Sequence, residues 1–177
     1  SAATMMNLQP VDLGPGAVVE RLIDGARNHT CAVVINEDPS LSTKQLQCWG
    51  SNSGSKLGLG LPAKDEFLNM VIIGDEPGEM GAGLAHLFLA EEVHVLEVSG
   101  GYNHTCARLL SIETGKKGIK CWGHNGPSGK QGATGQPNNW VLGESMDQMG
   151  DALPWVDLGW PTSKWINSLE EQGIGLE

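Results

Sequence analysis

Basic residues are scarce in this chain: 11 Lys and Arg stand against 21 Asp and Glu, a net charge of −10 over 177 residues. No basic cluster breaks that acidity. Phosphate binding rests on Lys and Arg, so nucleic acid is a poor partner, and an anionic membrane surface is disfavoured for the same reason. Long apolar runs are missing too. The longest, residues 82–90, already contains Gly83 and His86 and ends at Glu91-Glu92. A membrane-spanning helix needs about 20 apolar residues, so no direct membrane span is expected. Aromatics make up only 5%, yet six of the nine are Trp. Gly, at 25, is far below a third and has no three-residue period, which excludes collagen. An apolar share of 40% argues against wholesale disorder. The opening Ser1-Ala2-Ala3-Thr4 lacks an initiator Met and a charged-then-apolar signal. It reads as a mature end left by removal of a targeting peptide, with an expression scar as the other reading.

What the chain does have is a repeat. Asn28-His29-Thr30-Cys31-Ala32 returns as Asn103-His104-Thr105-Cys106-Ala107, and Cys48-Trp49-Gly50 as Cys121-Trp122-Gly123. Each copy runs through an Asn into a glycine-rich stretch, Gly54-Ser55-Lys56-Leu57-Gly58 and Ser128-Gly129-Lys130-Gln131-Gly132. Gly74-Asp75-Glu76-Pro77-Gly78-Glu79-Met80-Gly81 is matched by Gly143-Glu144-Ser145-Met146-Asp147-Gln148-Met149-Gly150, and Val11-Asp12-Leu13-Gly14 by Val156-Asp157-Leu158-Gly159. The order is kept, and the spacing varies with loop length. The expected organisation is an extension (1–10), a first repeat (11–81), a second (82–150), and a partial third repeat with a tail (151–177).

Each repeat reads as β structure. Residues 30–35 are β-branched and apolar, and residues 44–49 alternate polar and apolar. Turn residues, Asn36-Glu37-Asp38-Pro39-Ser40, lie between them. The second copy offers residues 105–110 and 119–122 around a Gly- and Lys-rich link, so each repeat predicts an antiparallel hairpin. Residues 91–98 are a further strand candidate. Helix is expected at most over residues 82–92 or 162–172.

The ordered pattern Gly-x-x-His-Thr-Cys-Ala, Cys-Trp-Gly-x-Asn, a glycine-rich run and Gly-Asp-x-Pro-Gly-Glu-Met-Gly resembles the repeat of the regulator of chromosome condensation family. It is most like the cysteine-bearing, secreted-type variant of bacteria and unicellular algae. The resemblance covers about residues 11–160. It implies an all-β fold of β-propeller-type blades. Two units cannot close a ring, and the Gly-Gln-Leu-Gly element of the family is here Ser-Lys-Leu-Gly and Gly-Lys-Gln-Gly. The expectation is therefore an open arc of two disulfide-stapled hairpin blades with an irregular Trp-rich C-terminal segment. The exchange-factor activity of full rings on small GTPases is not carried over.

One Cys falls in each hairpin strand. Opposed residues in a non-hydrogen-bonded antiparallel pair lie about 4.5 Å apart, near disulfide range. The repeat selects Cys31–Cys48 and Cys106–Cys121 among the three possible connectivities. Two other readings stand beside this one. Zinc would use His29, His104 or His124 with the thiols, although no CxxC pair is present. Buried free thiols would suit a reducing compartment.

Asn28-His29-Thr30 and Asn103-His104-Thr105 match the N-glycosylation sequon. As part of the repeat, their His and Thr are expected to hydrogen-bond within the blade. Trp49 and Trp122 are expected in the core beside the disulfides. Trp140, Trp155, Trp160 and Trp165 cluster late, beside Pro154 and Pro161, and suggest a partner-binding surface or local packing. Residues 124–131 fail the phosphate-loop pattern, with His124 where Gly is needed and Gln131 where Ser or Thr is needed. Asp75, Glu76 and Glu79 lack the alternate ligand spacing of a calcium loop and read as a solvated turn. No nucleophile arrangement is suggested, and no cofactor or metal is called for.

The leading expectation is a non-enzymatic structural or interaction subunit. It would dock through exposed strand edges and the Trp segment to protein subunits of a larger assembly. The compartment would be an oxidising organelle lumen or the cell exterior. The algal character of the repeat suggests the thylakoid lumen and a photosynthetic complex. A regulatory or inhibitory propeller-type binding module is the alternative, and a zinc-dependent protein the third.

Overall fold

The computed structural model describes residues 9–23, 27–36, 44–126, 132–137 and 140–159. They form two antiparallel sheets with no α-helix, and neither sheet closes on itself. The first sheet contains β1 (Ala17–Leu22), β2 (His29–Asn36), β3 (Gln45–Ser51), β4 (Ile72–Ile73) and β5 (His86–Leu87). Its order is β1-β2-β3-β4, with β5 also paired to β3. The second sheet, in order, is β6 (Val93–Gly100), β7 (His104–Ser111), β8 (Lys117–His124) and β9 (Val141–Leu142). The arrangement is an open arc of two disulfide-stapled sheets.

The hairpins fall where the sequence places them. Cys31 faces Cys48 and Cys106 faces Cys121 in register, each pair 4.1 Å apart in Cα and joined by a disulfide. The thiols are therefore neither free nor available as zinc ligands, and two disulfides point to an oxidising environment. The outer strands β1 and β6 carry a bulge at matching places, between Val19 and Arg21 and between Val95 and Glu97. A bulge sharpens the local twist of an edge strand, which helps keep it from pairing further.

The conserved order of motifs within the chain has a backbone cause. Gly50 and Gly123 sit at φ +97° and +100°, and a Cβ on either would come within 2.9 Å of the strand that opens the hairpin. Only glycine fits these strand positions without displacing the strand paired to them. Two residues later Asn52 and Asn125 are buried and organise the following loop. Asn52 Oδ1 accepts from the Leu57 N–H and its amide donates to the carbonyls of Leu61 and Pro62. Asn125 accepts from the backbone and hydroxyl of Thr134 and donates to Gln136 O.

Residues 82–92 are not a helix. A single 3-10 turn, Gly81–Gly83, leads into β5 and an extended run to β6. Gly81 at φ +65° and the second glycine at position 83 disfavour a helix start, and Leu87 and Leu89 are buried on either side of exposed Phe88, an extended-chain pattern. The other helix candidate, 162–172, lies outside the described residues.

The main core lies between the sheets. Cys31, Val33, Leu46, Cys48 and Leu57 from the first unit pack with Ala107, Leu109, Trp122, Leu142 and Met149 from the second. A smaller cluster of Leu13, Ala32, Val34 and Leu84 lies on the opposite face of the first sheet, with Trp49 partly buried against it. Side chains alternate along a strand. So Cys31 and Val33 look toward the second sheet, while Thr30, Ala32 and Val34 look away from it.

Candidate interaction site

The two sheets are joined by a polar contact set into the apolar core. The Thr105 hydroxyl donates to Lys56 O at 2.8 Å, and the Trp122 indole N–H donates to the same carbonyl at 3.0 Å. His29 Nε2 donates to Thr105 Oγ1 at 3.0 Å. The His and Thr of the sequon-like motif thus bond across the two sheets, where a bond within one blade was expected. Burial is the main influence holding the His29 imidazole below its ordinary pKa. The approach of Nδ1 to Arg27 O, 3.2 Å, opposes this, and the charges of Lys56 and His104 reinforce it.

Lys56 itself is buried, and its ammonium donates to the carbonyls of Arg27, 2.7 Å, and Tyr102, 3.3 Å. Burial, then the nearby Arg27 charge, lowers its pKa. Arg27 in turn lies over the Tyr102 ring, 4.1 Å from the centroid. Gly58 completes the seat, since a Cβ there would come within 2.6 Å of the Trp122 indole nitrogen.

The same motif in the first sheet has no such neighbour. Trp122 is 0% exposed and Thr105 0%, whereas Trp49 and Thr30, at the matching places, are only partly buried. Neither Trp49 nor Thr30 has a hydrogen-bond partner for its side chain among the described residues. The face they occupy holds an open cavity of about 270 Å³, lined among others by Leu13, Ala17, Val34, Gln47 and Leu84. Gln47 donates to the carbonyls of Leu13 and Leu84, but its own Oε1 is buried without a partner.

At the opposite end, the outer face of the second sheet carries Cys106, Arg108 and Ile119, with Arg108 paired to Glu97 at 2.9 Å. That pair draws the Glu97 carboxyl below its ordinary range, chiefly through the hydrogen bond from Arg108. A groove of about 430 Å³ runs between these residues and Arg21 and Leu22 of β1.

Of the four late Trp residues, two, Trp140 and Trp155, are among the described residues. Trp140 is 59% exposed, and its carbonyl accepts from the Asn125 N–H. Trp155 is 44% exposed but is tied to the second sheet. It bridges Lys120 in register and packs so closely on Gly118 that a Cβ there would lie 2.6 Å from its ring. Lys120 sits 4.9 Å from the Trp155 ring centroid and donates to Leu89 O and Gly150 O. Trp160 and Trp165 lie outside the described residues.

The acidic turn is used by its own backbone. Glu79 Oε2 accepts from the N–H groups of Gly74 and Glu76, and Gln148 Oε1 does the same for Gly143 and Glu144. One amide and one carboxylate thus fill the same role, which is turn closure. Among the described residues, no group of three or more His, Cys, Asp or Glu side chains is placed to hold a metal.

Sequence reasoning missed the two buried lysines. Lys120 takes the repeat position of Gln47, so the repeat marks that position as one that donates to two carbonyls. Lys56 gave no signal beyond its place in the glycine-rich run. No family model matches the chain, nor does any curated protein or solved structure.

Proposed function

We propose that this chain is a non-enzymatic interaction subunit, a pair of propeller-type blades that docks to a larger protein assembly through the partly open outer face of its first sheet. The observation that carries the reading is the contrast between Trp122, wholly buried by the neighbouring sheet, and Trp49, its repeat counterpart, left partly exposed beside an open cavity. A face sealed in one copy and left partly open in the other is suited to docking.

Further apolar side chains are exposed on the first unit. Val18, Val19 and Leu22 stand on edge strand β1, and Phe67 and Leu68, each 75% exposed, on the loop before β4. The resemblance to regulator of chromosome condensation repeats supports the same role, since blades of that type work against neighbouring blades. The setting we propose is an oxidising lumen or the cell exterior. The algal character of the repeat favours a photosynthetic membrane complex.

The reading is tested by the native size of the chain. In a non-denaturing extract of the source organism, the chain is expected to elute with an assembly several times its own mass. Elution at the mass of a single chain would overturn the reading.

A further inference from the structure

The contact between the two sheets has two unlike halves. The first sheet gives the His29 imidazole and the Lys56 carbonyl; the second gives the Thr105 hydroxyl and the Trp122 indole N–H. The repeat supplies the hydroxyl and indole of one half, and the imidazole of the other, once more on the outer faces of the two sheets. Thr30 and Trp49 stand where Thr105 and Trp122 stand, on the outer face of the first sheet, with no hydrogen-bond partner among the described residues. His104 stands where His29 stands, on the outer face of the second sheet, and its imidazole likewise makes no hydrogen bond there. Among the described residues, a hydroxyl without its imidazole and an imidazole without its hydroxyl thus stand on the same chain.

We infer that copies of this chain associate head to tail, the His104 end of one copy seating on the Thr30 and Trp49 face of the next. The inference rests on the reading that this face is a docking surface, and it names the occupant as a second copy. The internal contact between the sheets is its template, and the two free ends are complementary in the same sense. Such an interface is heterologous: each copy uses a different patch at each end, so assembly continues until a ring closes.

The match is not perfect, and the difference has a consequence. Val33 of the first sheet, buried in the internal contact, is replaced on the outer face of the second sheet by Arg108, held to Glu97. The seam between copies is more polar than the seam within one, and association is reversible and concentration-dependent.

Sedimentation of the full, disulfide-intact chain over a concentration series tests this. The average mass should climb past that of a dimer as concentration rises. Thr30→Val, which keeps the shape and removes the hydroxyl, should weaken association about fivefold. Trp49→Arg blocks one end and His104→Asp the other. Each variant alone should stay at the single-chain mass, and an equal mixture should form dimers and nothing larger, because each variant keeps one sound end. Dimer formation in the mixture also shows that both variants are folded. A wild-type chain that stays at single-chain mass across the series overturns the inference. So does a blocked variant that dimerises by itself, or a mixture that fails to pair while the wild type assembles. If the purified chain stays single while the native extract holds it in an assembly of other proteins, self-association falls and the docking reading stands. Single-chain mass in both places ends both.

Discussion

Trp49 and Trp122 follow equivalent disulfide-bonded cysteines, precede equivalent glycines and sit on equivalent strands. One is sealed from solvent and the other is not. The motif cannot be the cause of the difference; the neighbour is. Thr105 and Trp122 are buried because the Lys56 turn and the Cys31–Cys48 face lie against them, whereas Trp49 meets only the smaller cluster around Leu13 and Leu84, and Thr30 stays partly buried. The pattern reverses on the other side of each strand: Cys31 and Val33 are 0% and 1% exposed, while Cys106 and Arg108 at the same places are only partly buried. In a stacked repeat each unit contacts only its neighbours, so identical sequence acquires different energetics at the ends.

Substitutions at matched positions sharpen this contrast. The largest expected effect is Trp122→Ala. Emptying a fully buried indole should cost about 3–5 kcal/mol, read from urea midpoints, while Trp49→Ala should cost clearly less. Equal losses would mean that the two faces are packed alike.

The disulfides come next. Their loops span 17 and 15 residues, so the loop-entropy contribution is nearly the same, about 3 kcal/mol each. Replacing both cysteines of a pair by Ala should nevertheless cost more for Cys31–Cys48, which lies wholly inside the core between the sheets, than for Cys106–Cys121 on the outer face. The same denaturant titration on the two double variants decides it.

Smaller still is the hydroxyl pair. Thr105→Val removes a donor to Lys56 O and an acceptor for His29, and should cost about 1 kcal/mol or somewhat more. Thr30→Val in the dilute single chain should be close to neutral. The least effect is that of pH. Burial holds the imidazoles of His29 and His104 below their ordinary value of about 6.5, so the unfolded chain binds more protons than the folded one in that range. Stability should be full above about pH 6.5 and decline as pH falls from there toward the folded-state values. His29→Gln should flatten that decline in urea midpoints measured between pH 7.5 and 5.5, values chosen to bracket the ordinary imidazole range.

Much of the fold was legible because it repeats. The four hairpin strands and the cysteine pairing follow from matching two copies against each other. Strand β1 was missed: Ala17–Leu22 has Glu20 and Arg21 interrupting its apolar residues and almost no buried side chain, so it gives little periodicity. Strands β4, β5 and β9 are two residues each, too short to leave a pattern. The site was less legible. That His29 bonds to Thr105 depends on how one unit seats on the next, and no spacing within a unit encodes it. The late Trp residues were read as a group from their closeness in sequence. Trp155 also packs on Lys120, because residues after the second repeat turn back to bridge β8 just as β5 pairs with β3.

Hydroxyl-radical footprinting of the intact chain, read by mass spectrometry at Trp49 and Trp122, tests the central contrast most directly. In the dilute single chain, Trp49 should be oxidised readily and Trp122 protected. Within the native assembly, Trp49 should become protected while Trp122 is unchanged. Equal oxidation of the two in the single chain, or a Trp49 that stays equally reactive in the assembly, would contradict the account.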